Sequence, residues 1–90
     1  SIETLVEQKV VLNCSIRGGP IERVQWLKDG AVLRTVQVEP SSRMSWQGSL
    51  PLGPMQPHME GVYQCSALSA DDNALSSILL LLRGLILFFL

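Results

Sequence analysis

Apolar and polar residues alternate along this chain in short runs, and no stretch sustains a helical period. From Lys9 to Ile16, the side chains of Val10, Leu12, Cys14 and Ile16 fall on one face and those of Val11, Asn13 and Ser15 on the other. That two-residue period predicts a half-buried strand. A first edge strand is predicted over Ile2 to Glu7, and Val24 and Trp26 share the inward face of the next one, with Gln25 turned away. Lys28-Asp29-Gly30 predicts a tight reversal, because aspartate and glycine tolerate the left-handed backbone such a turn needs. Weaker strands follow over Ala31 to Leu33 and Thr35 to Val38, broken by Glu39-Pro40-Ser41-Ser42. Arg43 to Trp46 and Ser49 to Leu52 are predicted as a further pair, with Pro51 awkward in the second because proline cannot donate to a ladder. Pro54 and Pro57 mark a corner before a strand over Gly61 to Ala67. Asp71-Asp72-Asn73 is a hairpin tip, and the last strand lies between Asn73 and Leu82. Turn signals at this spacing predict an all-β, two-sheet sandwich.

Ninety residues make one small domain, near the size at which a single core needs a covalent aid. The net charge is −1 and the charged residues are scattered, so there is no basic stripe to read a nucleic acid. His58 is the only histidine, in a proline-flanked corner, so neither a histidine-rich metal site nor a repeated acid–base device can be assembled. No glycine-rich phosphate loop or calcium loop occurs. These features predict no enzyme activity, no cofactor and no small-molecule substrate. The chain opens at Ser1 without a charged and apolar leader, which for an exported domain predicts a piece of a longer precursor.

Cys14 and Cys65 are the only cysteines, Trp26 follows the first by twelve residues, and Tyr63 precedes the second by two. This order resembles the core of an immunoglobulin-type Greek-key sandwich. Leu12-Asn13-Cys14, Gly19-Pro20-Ile21, Val24-Gln25-Trp26-Leu27-Lys28-Asp29-Gly30, Gly48-Ser49-Leu50 and Gly61-Val62-Tyr63-Gln64-Cys65 are similar to an I-set domain. Within that set the loops resemble the Down syndrome cell adhesion molecule family, with other neural adhesion receptors and hemolin-like proteins close behind. The resemblance implies a Cys14–Cys65 bridge joining the sheets, Trp26 packed on it, the Tyr63 hydroxyl turned back to the preceding corner, and Leu12 and Leu50 in the core. It also implies an extracellular, cell-surface setting and binding to a protein partner, homophilic or heterophilic, with the membrane reached only through a parent protein. A structural spacer in a receptor rod, a soluble immune-recognition domain, and an intracellular domain with two buried thiols stay open. Two departures stand out: Met59 occupies the place where the family usually has an aspartate paired with an arginine such as Arg43, and Pro51 replaces a strand-continuing residue. Both predict a weakened lower corner.

Asn13-Cys14-Ser15 meets the rule for N-glycosylation, with Asn13 outward if Cys14 points inward. Trp46 is read either as an exposed anchor for a partner or as core packing beside Leu50. The domain is expected over residues 1–82. The apolar tail, residues 83–90, is expected to be a truncated linker or the start of an anchor, a segment that folds against another chain, or a non-native terminus. The leucines of the last strand leave its outward face apolar too, which marks a partner site or an aggregation liability.

Overall fold

A computed structural model describes residues 2–5, 7–39, 44–71 and 73–86. Seven strands follow one another: β1 (Ile2–Leu5), β2 (Val10–Arg17), β3 (Arg23–Lys28), β4 (Ala31–Gln37), β5 (Ser45–Leu52), β6 (Gly61–Leu68) and β7 (Ala74–Ile86). A short 3-10 turn, Pro57–Met59, precedes β6. The strands form a five-stranded sheet in the order β1-β7-β6-β3-β4 and a two-stranded sheet of β2 and β5. The chain is therefore all-β and two-layered, with antiparallel pairing in every ladder but one: β1 runs parallel to β7.

The alternation in β2 does what its sequence predicts: Leu12, Cys14 and Ile16 are buried and Val11, Asn13 and Ser15 exposed. On the facing sheet Val24, Trp26, Tyr63, Cys65 and Ala67 turn inward. Asp29 and Gly30 have φ of 49° and 89°, so the β3–β4 hairpin is a two-residue loop of left-handed residues.

The first strand ends at Leu5 instead of Glu7, whose φ of 72° belongs to a turn, and three further boundaries differ from the sequence reading. Ala31–Gln37 is one strand, not two, with a register shift between Trp26 and Leu27 that leaves Leu33 without an opposite residue on β3. Ser45–Leu52 is also continuous, and Pro51 lies within it opposite Val11. A strand with a partner on one side only leaves half of its N–H groups unpaired in any case, so proline is tolerated there. The last strand runs to Ile86, four residues past the expected Leu82, because β1 continues the ladder with Glu3 in register with Arg83 and Leu5 with Ile86. Arg43, Asp72 and residues 87–90 lie outside the described residues.

Candidate protein-recognition surface

The sheets are joined by a Cys14–Cys65 disulfide, with S–S 2.12 Å and Cα–Cα 6.5 Å. Trp26, 1% exposed, packs in the same cluster with Leu12 and Leu50. Trp46 lies half-buried against this cluster, its ring 6.4 Å from Trp26 and inclined at 66° in an edge-to-face contact. It is thus part of the interior wall rather than a free anchor. Room for it comes from Gly48, which stands opposite Cys14 on β2. A Cβ built on Gly48 would lie 2.3 Å from the Trp46 ring.

Among the described residues, the backbone carbonyl of Met59 and the carboxylate of Asp29 tie the lower corner to β6. The buried Tyr63 hydroxyl donates to the Met59 carbonyl at 2.6 Å. Desolvation there raises the phenol above its ordinary pKa. The Asp29 carboxylate accepts the Val62 N–H at 3.0 Å and the Lys28 ammonium at 3.2 Å. These two bonds, the Val62 N–H first, hold Asp29 below its ordinary 3.8. A depressed carboxylate stabilises the fold above its unfolded pKa, and that contribution is lost as pH falls through the lower folded value. The Asp29 carboxyl should therefore titrate below 3.8 by NMR, with the Val62 amide shifting at the same midpoint. An Asp29 midpoint at or above 3.8 would exclude this corner clamp.

The hairpin between β6 and β7 is closed by Ser69 N–H donating to the Asn73 carbonyl at 3.0 Å. Asp71 accepts there from the Ser69 hydroxyl and, at 2.8 Å, from the Asn73 amide, and these bonds, the serine's first, lower its pKa. The carboxylate is taken up by its own turn. His58 sits exposed in the 3-10 turn. Among the described residues no three His, Cys, Asp or Glu side chains cluster as a metal would need, and no helix is long and apolar enough to cross a membrane.

The five-stranded sheet presents a patterned outer face. Because Tyr63, Cys65, Trp26 and Val24 point inward, the alternating positions Val62, Gln64, Ser66, Gln25 and Leu27 lie on the outer side of the five-stranded sheet, Val62 exposed, Gln64, Gln25 and Leu27 half-buried, and Ser66 covered at 7% exposure. The register aligns them in rows. Leu79 stands opposite Gln64, Gln64 opposite Leu27, and Leu27 opposite Val32, so one transverse row crosses β7, β6, β3 and β4. Leu79 is 69% exposed and Val32 53%. Beside it Leu81 pairs with the exposed Val62. The next row on the other side is polar: Ser77, Ser66, Gln25 and Thr35, with the two serine hydroxyls 3.1 Å apart. An exposed apolar row beside a neutral polar one is a surface a protein partner can cover without burying charge. The outward leucines of β7 signalled half of this face in the sequence, whereas the part from Leu27 and Val32 depends on register across three ladders.

A two-layer sandwich pinned by one bridge beside a buried indole is the architecture of an immunoglobulin-like domain. The chain belongs to the immunoglobulin domain family, whose profile its residues 1–68 match. The rat tyrosine-protein kinase receptor TYRO3 (Rattus norvegicus) is 35% identical over 71 residues, which cover 77% of this chain and 8% of that receptor. Human inactive tyrosine-protein kinase 7 (Homo sapiens) is 37% identical over 71 residues, covering 79% of this chain and 6% of that protein. The chain therefore spans less than a tenth of the curated relatives it matches. Among solved structures, the immunoglobulin-like domain of mouse leukocyte-associated immunoglobulin-like receptor 1, a strand-swapped dimer, superposes with a TM-score of 0.71 at 19% identity, covering 93% of this chain and 88% of that one. The extracellular domain of the same receptor gives 0.64 at 17% identity, covering 98% and 84%. These likenesses concern the fold.

Proposed function

We propose that this domain is an extracellular recognition module that binds a protein partner, without turnover, through the outer face of its five-stranded sheet. The row Leu79, Gln64, Leu27 and Val32 carries the reading. The disulfide supports an oxidising compartment, and the receptors among its relatives support a place on a cell-surface or secreted parent. We assign the domain to the I-set, and to adhesion proteins of the Down syndrome cell adhesion molecule type, on the Gly19-Pro20-Ile21 loop, the Trp26-to-Gly30 segment and the Tyr63-Gln64-Cys65 strand.

A second copy suits this face. Gln64 sits inside the apolar row, and an amide both donates and accepts, so two glutamines related by a twofold axis satisfy each other where two like charges would repel. The size suits as well. Four strands about 4.8 Å apart and some 25 Å long give a projected face of roughly 400–500 Å². The accessible area of such a corrugated face is larger, approaching the roughly 800 Å² per partner of a specific interface.

Sedimentation equilibrium of the oxidised domain should show concentration-dependent dimerisation, and Leu79→Lys should weaken it at least tenfold while leaving the unfolding midpoint unchanged. A strict monomer at the highest attainable concentration would sink self-recognition and favour the spacer role. A dimer that ignores the lysine would point to exchange of strands, the form taken by the mouse leukocyte receptor domain, because exchange uses strand edges and not this face.

A further inference from the structure

The opposite side of the sandwich carries a different surface. On the outer face of β2 and β5, Asn13 stands opposite Ser49 and Ser15 opposite Gln47. These residues are all exposed, and together with the backbone at Cys14 and Gly48 they line a shallow recess. Its walls mix apolar surface with uncharged hydroxyls and amides, and the latter hydrogen-bond sugar hydroxyls and N-acetyl groups. Asn13 and Ser15 are the first and third positions of an Asn-x-Ser acceptor, and their two-residue spacing on a strand places both on this outer face.

We propose that Asn13 is N-glycosylated and that the first sugars of the glycan lie in this recess, over the two-stranded sheet and away from the apolar row on the other layer. The inference rests on the extracellular reading above, since the transfer takes place in the secretory lumen. There the side-chain amide nitrogen of Asn13 attacks C1 of the reducing-end sugar of a polyprenyl-pyrophosphate-linked oligosaccharide. An N–C1 bond forms, the C1–O bond to the pyrophosphate breaks, the amide loses one proton and the lipid pyrophosphate departs. Nothing is oxidised or reduced. The acceptor must be extended and unpaired, so transfer precedes the pairing of β2 and the closing of the Cys14 bridge. The bonded sulfur in the folded domain is then no obstacle, because Asn13 and Ser15 point away from it.

The test is to secrete the 90-residue chain from mammalian cells behind a cleavable leader and compare intact masses before and after peptide-N-glycosidase. The wild-type domain is expected to lose the mass of one oligosaccharide and to keep an aspartate mass tag at position 13, and both Asn13→Gln and Ser15→Ala are expected to lose nothing. The double variant Asn13→Gln/Gln47→Asn is the control, since it moves an Asn-Gly-Ser acceptor to the facing strand of the same recess. Secreted, oxidised wild-type protein that loses no mass, beside a control that does, overturns the proposal. A recess that accepts neither acceptor overturns it equally. Titration of free thiols in the same samples reports separately on the bridge: unmodified protein with an intact bridge counts against the glycan and leaves the disulfide on which the extracellular reading rests standing, whereas free thiols in the secreted protein count against that reading itself.

Discussion

Replacing Cys14 and Cys65 together with alanine should lower the unfolding free energy by about 4 kcal/mol, and reducing the wild-type protein should do the same. The size of the effect comes from the 51-residue separation that the bridge closes. In the chain-entropy account, a cross-link over that distance removes much of the freedom of the unfolded chain. A domain of 90 residues has little in reserve, because net stabilities of about 5–15 kcal/mol are usual even for larger ones. The bridge also lies in the interior, Cys65 fully buried and Cys14 nearly so, so its loss also removes packing around Trp26. Urea unfolding followed by tryptophan emission, with and without reductant, measures both forms. A double variant within about 1 kcal/mol of wild type would mean that the two sheets hold together by side-chain packing alone.

Gly48→Ala should cost about 1–3 kcal/mol, the usual penalty for forcing extra volume into a packed interior. The added Cβ would meet Cη2 and Cζ2 of Trp46 at 2.3 and 2.4 Å, well inside any real carbon–carbon contact. The ring is the part able to give, and its way out is toward solvent, since the inward side is occupied by Trp26. Two signals should therefore move together: a lower urea midpoint and a red-shifted emission as the second indole leaves its edge-to-face partner. An unchanged midpoint with unchanged emission would show that the indole finds another buried position at no cost. Because Gly48 faces Cys14 across the ladder, the same variant reports on how tightly the wall beside the bridge is filled.

The layer architecture was legible because its signals are local. The alternation at Val10, Leu12, Cys14 and Ile16, the Asp29-Gly30 reversal and the spacing of Trp26 and Tyr63 from the two cysteines each survive without knowledge of the partner strand. Ile21 and Met55 are fully buried although neither lies on a strand, and loop residues have no period to betray them. Met55 is drawn in by backbone pairing, its carbonyl accepting from Glu7 N–H and its N–H donating to the Gln8 carbonyl. The continuity of β5 through Pro51 was hidden because a proline reads as a break unless one knows that the strand has a single neighbour. The proposed recognition face was half visible. Leucines on both sides of β7 announced an apolar exterior, but the row that joins Leu79 to Val32 exists only once three registers are fixed. The bond that Asp29 makes to the start of β6 was not legible at all, because it spans 33 residues and joins a hairpin to a strand that no local pattern links.

The parallel pairing of β1 with β7 places Ile2 beside Leu82 and Leu5 beside Ile86. Tension applied between the two ends of the chain would drag these neighbours in opposite senses along their common axis. Their hydrogen bonds would share the load at once instead of peeling apart in turn, so this short ladder acts as a mechanical clasp.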